Sequence, residues 1–233
     1  MCGRVNVSDN EGVRILLESL GMTTWPTREP RFNIAPTQTL DVVSLDDELR
    51  LVPMSWGVSM SLPGKKGEVT RRVQNSRDDK VWSSRMWKPM IEHRRVLVPV
   101  NGFYEWKREN RKLVSAFYMT PAKASAMFLA GIYKPAVDEA DKPEVSVITT
   151  TANEPMSEVH DRMPVLLLSG NEAMAWLQES DRSSLDALMK PASNDALRFT
   201  EVSQYVNKSS HEGPQCVAPP EEAQGQMNDL FGD

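Results

Sequence analysis

The residue with the most chemistry to offer stands second in the chain. Removal of an initiator Met1 is usual before a small side chain, and it would leave Cys2 as the N-terminal residue, with a free α-amine beside its thiol. A 1,2-aminothiol traps aldehydes: the amine condenses to a Schiff base, and the thiol closes on the imine carbon to give a thiazolidine ring. Carrying both nucleophiles on one residue makes the second step intramolecular and fast. An α-amine of pKa about 7.8 is roughly a quarter neutral near pH 7.4, whereas a lysine at about 10.4 is neutral about one part in a thousand. Taken alone, a cysteine at position 2 is usually incidental, a small packed hydrophobe.

The rest of the chain must position it. With 233 residues, 40% hydrophobic content and six tryptophans, it can bury a full core as a single domain. The polar stretch Met1 to Gly12 has no apolar signal region, and no 18-residue apolar run occurs, so a soluble, cytoplasmic protein is expected. Two cysteines and three scattered histidines give neither a disulfide framework nor metal-ligand spacing, and no cofactor is expected. The formal charge of −5 is unevenly spread: Ser209 to Asp233 holds five acids and no Lys or Arg, whereas Gly64 to Lys112 carries 14 basic residues against 6 acidic. That stretch is either an anion-binding face or a solvated mixed-charge surface.

Ser8 and Glu11 have the spacing of a capping box, and Val13, Leu16, Leu17 and Leu20 form one stripe ending at Gly21, which predicts a helix over residues 9–20. Strand-like runs follow at Leu40 to Ser44, Leu49 to Trp56, Arg95 to Trp106, Met127 to Tyr133 and Val145 to Thr151. Helical intervals are expected at Asp79 to His93, broken or kinked at Pro89, at Asn171 to Glu179 with Ser169 and Glu172 as a capping box, and at Ser184 to Met189. Strands outnumber helices without strict alternation, so the class is α+β on a mixed or antiparallel sheet with flanking helices. The domain spans residues 2–217, and the Pro, Glu, Gln and Gly rich 218–233 reads as a disordered acidic tail.

A series of short motifs runs in order along this frame. They are Met1-Cys2-Gly3-Arg4, Arg31-Phe32-Asn33-Ile34-Ala35-Pro36, Trp56-Gly57, Asn75-Ser76-Arg77, Ser84-Arg85-Met86 and Arg94-Arg95-Val96-Leu97-Val98-Pro99. Gly102-Phe103-Tyr104-Glu105-Trp106, Val159-His160-Asp161-Arg162-Met163-Pro164, Val206-Asn207 and Gly213-Pro214 complete the series. In this order and spacing the set closely resembles the SOS response-associated peptidase (SRAP) family over about residues 1–217. The resemblance implies that the N-terminal cysteine crosslinks to the ring-opened sugar of an abasic site in single-stranded DNA, with strand cleavage and crosslink reversal as further activities.

By that resemblance Cys2 is the nucleophile, and Asn75, Glu105 and His160 are the polar residues around it. Imine formation moves a proton from the amine and delivers one to the departing hydroxyl, a task for Glu105 with its pKa raised by Phe103, Tyr104 and Trp106. His160 would protonate or orient the sugar oxygens, and Asn75 would hold a hydroxyl or a phosphate without adding charge. On residue type alone Glu105 reads as an exposed strand residue, Asn75 as a cap or turn, and His160 as a surface ion-pair residue.

For DNA contact the resemblance implies Arg77, Arg85 and Arg162 on phosphates and Trp106 near the strand, a sequence-independent mode. Arg4 and Asn33 would line the same cavity or tie the N-terminus into the fold. Three departures stand out: no aromatic follows Trp56-Gly57 until Trp82, which puts a wedge against duplex ends in doubt; the acid common in relatives two residues after Asn-x-Arg is here Asp79, shorter by one methylene; and Asn101 stands where relatives often carry an acid. Two other classes fit the same residues, a cysteine-dependent (auto)peptidase using Cys2, His160 and Asn75, and a non-covalent single-stranded DNA-binding module. A monomer is expected, nucleoid-associated when bound to DNA. In the tail, Gln226-Met227-Asn228-Asp229-Leu230-Phe231 loosely resembles sliding-clamp peptides, one residue longer than the usual short form.

Overall fold

The computed structural model describes residues 2–220, apart from 24, 25, 27, 65, 66 and 139, and gives backbone alone at 62–64. The expected tail falls outside these from residue 221 onward, and the clamp-like Gln226 to Phe231 with it; so does the side chain of Leu62 in the wedge segment.

Strand β1 (Arg4–Val7) leads into helix α1 (Asn10–Glu18), then β2 (Arg31–Ile34), β3 (Thr39–Leu45) and β4 (Leu49–Trp56). Gly57, at φ 119°, turns the chain into a ribbon of β5 (Val58–Gly64) and β6 (Gly67–Val73), followed by the short β7 (Asn75–Arg77). Helices α2 (Asp78–Val81) and α3 (Lys88–His93) precede β8 (Arg95–Val100), β9 (Gly102–Glu109) and β10 (Lys112–Pro121). Next come β11 (Met127–Lys134), β12 (Glu144–Thr151), α4 (Glu154–Ser157), β13 (Arg162–Pro164) and β14 (Leu166–Leu167). Helices α5 (Gly170–Gln178) and α6 (Arg182–Leu188), strand β15 (Leu197–Val202) and two 3-10 turns, Gln204–Asn207 and Pro214–Cys216, close the described chain.

The expected α+β class is what forms, with its strands divided into two large sheets and the ribbon. The first sheet runs β15-β10-β9-β1-β2 and is antiparallel throughout. The second runs β13-β12-β4-β3-β8-β11-β14, with β7 added on β12, and is mixed because β12 lies parallel to both β4 and β7. Alternation along the strands sorts the core into layers. On β8, Val96, Val98 and Val100 face the first sheet, where Val5, Phe103 and Met119 meet them, while Leu97 faces the helices. Val13, Leu17, Trp87, Ile91, Trp176 and Leu185 of the helical side cover that outer face. Full burial of each such aliphatic side chain contributes about 1.5–3 kcal/mol. The far face of the first sheet is capped by the C-terminal segment through Tyr104, Val202, Val206 and Cys216.

Where the chain departs from the expected pattern, a local competitor wins. Asp9, not Ser8, caps α1 by accepting from the Gly12 amide; the Ser8 hydroxyl donates to Asn6 Oδ1 instead, and Glu11 pairs with Arg14. Pro89 does not kink a long helix. It sits in the first turn of α3, where its missing N–H costs nothing, so the interval splits into two short helices. The run Arg95 to Trp106 also divides: Asn101, held by the Asp9 amide and the Ser125 carbonyl, passes the chain from the second sheet (β8) to the first (β9). A Cβ on Gly102 would lie 2.4 Å from the Met119 carbonyl oxygen, so only glycine allows β9 to start so close to β10. That crossover is what delivers Glu105 to the inter-sheet space.

Candidate functional site

Cys2 lies just before β1, whose Arg4 pairs with Tyr104 of β9, so the chain upstream of Arg4 runs back alongside Glu105 and Trp106. Its side chain is fully buried in the core between the sheets. Asn75 opens β7 on the facing sheet, paired with Val147 of β12, and its Nδ2 donates a 2.8 Å hydrogen bond to the Cys2 carbonyl oxygen. Asn75 Oδ1, also buried, accepts no hydrogen bond from the described residues.

Glu105 shares the Phe103 face of β9, directed between the sheets, and is 4% exposed. His160, in the turn between α4 and β13, forms the outer wall, with its Nε2 3.9 Å from Glu105 Oε1. The other ring nitrogen, Nδ1, lies 3.0 Å from the Arg162 amide nitrogen and 2.9 Å from Asp161 Oδ1. It cannot accept from the amide and donate to the carboxylate together. The amide is fixed in the backbone, whereas the Asp161 side chain is 86% exposed and screened by water. Hydrogen-bond geometry therefore assigns Nδ1 as acceptor and places the proton of the neutral imidazole on Nε2, toward Glu105.

Burial, and after it the charge of Glu105, pushes the Cys2 thiol well above its ordinary pKa. The thiol keeps its proton at neutral pH. No group of three or more His, Cys, Asp or Glu side chains stands in a metal-holding arrangement among the described residues.

The cationic candidates divide. Arg77 is exposed at the end of β7, held by a two-pronged pair of bonds to Asp79, and Arg85 is exposed in the turn between α2 and α3. Arg162 is turned inward at 7% exposure: its Nη2 lies 2.7 Å from Asp78 Oδ1 and donates to the Thr149 carbonyl, so its guanidinium is engaged within the protein. Asn33 is fully buried, with Nδ2 2.9 Å from both the Lys208 and His211 carbonyls, and it fastens β2 to the C-terminal segment. The Arg4 guanidinium lies 5.6 Å over the Trp106 ring.

Asn207 was not singled out by its residue type, although it sits in one of the short motifs. Its Oδ1 accepts from Trp106 Nε1 at 2.6 Å and its carbonyl accepts from Arg4 Nη2 at 3.3 Å, so the C-terminal segment fixes both. Asp78 and Thr149, the partners of Arg162, were equally invisible, since Asp78 is 84 positions away from it.

The model of the family described as SOS response associated peptidase (SRAP) matches residues 1–209. The chain belongs to the SRAP family. Among SRAP relatives, the abasic site processing protein YedK of Escherichia coli (strain K12) is 28% identical over 228 residues, covering 94% of this chain and 100% of that protein. The abasic site processing protein YoqW of Bacillus subtilis (strain 168) is 28% identical over 195 residues, 81% of this chain and 85% of the relative. In fold, a crystal structure of a Bacteroides thetaiotaomicron protein superposes with a TM-score of 0.75 at 17% identity, over 94% of this chain and 99% of that one. No helix among the described residues is long and apolar enough to cross a membrane.

Proposed function

We propose that this SRAP protein processes abasic sites in single-stranded DNA, with Cys2 as a covalent trap once Met1 is removed. The observation that carries the reading is the gathering of Asn75, Glu105 and His160 around a buried Cys2 from two sheets and a turn. The α-amine of Cys2 adds to the sugar aldehyde, water leaves to give the imine, and the thiol adds across the C=N bond, its sulfur to carbon and its proton to nitrogen. The net change is the loss of one water. Glu105 moves the protons of the first step, His160 Nε2–H orients the sugar oxygens, and Asn75 holds the Cys2 backbone while its Oδ1 is ready for a hydroxyl.

The raised thiol pKa supports an amine-first order and speaks against a resident thiolate of the kind a cysteine peptidase uses. Arg77, Arg85 and Trp106 serve the DNA under this reading, in a cytoplasmic, monomeric protein whose residues 2–217 form the working domain and whose Gln226 to Phe231 docks on a sliding clamp. A peptide of Ala223 to Asp233 that fails to bind the clamp near millimolar concentration removes that last element alone. Intact-mass spectrometry tests the core proposal. The purified protein lacks Met1 and gains the mass of an abasic oligonucleotide less one water, and gives no adduct with a reduced, aldehyde-free site or as Cys2→Ser. Active protein that retains Met1 sinks the mechanism.

A further inference from the structure

Beside the site lies a concentration of positive charge that the chemistry above leaves unused. The β9–β10 connection turns through Asn110 and Arg111, at φ 49° and 67°, the signature of a tight type I′ hairpin. Lys107, Arg108, Arg111 and Lys112 crowd this hairpin against a single acid, Glu109. Arg108, Arg111 and Lys112 are exposed, and none of the four forms an ion pair among the described residues. Elsewhere Arg14, Arg28, Arg77, Lys88 and Arg182 each lie against an acid. Unpaired like charges repel across a hairpin, and an anionic partner relieves that repulsion.

The hairpin continues the strand that carries Glu105 and Trp106. Side chains alternate along β9, so Trp106 and Arg108 share one face, and the Arg4 guanidinium over the Trp106 ring completes a row of cation, aromatic and cation. Arg108 stands three residues beyond Glu105, about 10 Å along the strand. Resting on the function proposed above, we infer that this hairpin is an electrostatic arm gripping the phosphodiester backbone of the single strand where it leaves the site. Trp106 provides the first stacking surface, and Arg108, Arg111 and Lys112 meet the phosphates beyond it, a grip indifferent to base sequence.

Fluorescence anisotropy of the full chain on undamaged oligothymidylates of about 4 and about 16 nucleotides, across a range of salt, tests the arm. Arg108→Ala/Lys112→Ala lowers the salt slope on the long strand by about 1.4, at about 0.7 for each phosphate no longer neutralised. Its affinity deficit is about tenfold there and shrinks on the short strand, while Lys190→Ala, an exposed cation beyond α6, changes neither. Glu109→Lys does the reverse, tightening binding and steepening the slope, a gain that misfolding cannot produce. Equal slopes and affinities for wild type, the double variant and Glu109→Lys overturn the arm, and adduct formation persisting in that case leaves the abasic-site reading standing. Salt-dependent binding through the hairpin with no adduct on an abasic strand retains the arm as a DNA-binding element and removes the reading beneath it.

Discussion

The side-chain amide of Asn75 donates to the backbone carbonyl of Cys2 at 2.8 Å, joining residues 73 positions apart that are held by different sheets. The bond fixes Cys2 through its backbone carbonyl and engages neither its nitrogen nor its thiol. Asn75→Ala leaves that carbonyl without its donor, at a cost of about 1–3 kcal/mol, and Asn75→Asp sets an acceptor against an acceptor and costs more. Both lower the thermal midpoint and slow adduct formation on denaturing gels. An Asn75→Ala protein with wild-type melting and crosslinking would show the bond to be incidental.

Glu105→Gln keeps the shape of the side chain and removes the base. Crosslinking slows by about 10²- to 10⁴-fold with DNA affinity nearly intact. His160→Gln alters strand cleavage or crosslink reversal more than binding. Wild-type crosslinking rates for Glu105→Gln at every pH between about 5 and 8 would remove Glu105 from the proton path.

Arg77 and Arg162 both belong to the motif series yet differ in kind. Arg77→Ala lowers the single-strand salt slope by about 0.7 and leaves the melting curve in place. Arg162→Ala takes a donor from Asp78 and from the Thr149 carbonyl and destabilises the fold by about 1–3 kcal/mol, read by denaturant titration. Equal melting of the two variants would contradict the burial of Arg162.

The thiols give a pH test. Burial, and after it the charge of Glu212, raises Cys216 from an ordinary 9.0 to about 11. Below about pH 9 the folded and unfolded thiols are both protonated, and this contribution to stability is whole. Between pH 9 and 11 the unfolded chain loses the proton first, so stability falls as pH rises, and Cys216→Ala makes that fall shallower. The Cys2 thiol, raised further, resists iodoacetamide near pH 8 in the native protein and reacts on unfolding. Rapid native alkylation of Cys2 would mean that a thiolate is present.

Where a pattern is local, the sequence alone was enough. Helix α5 forms with the Ser169–Glu172 capping box because the cap, the acid and the amides they satisfy lie within four positions, and β4 spans the expected Leu49–Trp56 because its β-branched and apolar run is bounded by turns. Strands β1, β2, β5, β6, β7, β10, β13, β14 and β15 were missed: their pattern gains meaning only when a neighbouring strand pairs with them, and pieces such as Arg4–Val7 and Arg31–Ile34 are too short to show a period. The motifs named Cys2, Asn75, Glu105 and His160, but the crossover at Asn101 and the parallel pairing of β7 on β12 brought them together. An arginine left in solvent and an arginine turned inward onto a half-buried aspartate read alike as letters. Only the tertiary structure, by placing Asp78 and Thr149 around Arg162 and leaving Arg77 in solvent, decided between them, because desolvation and pairing depend on what lies nearby in space.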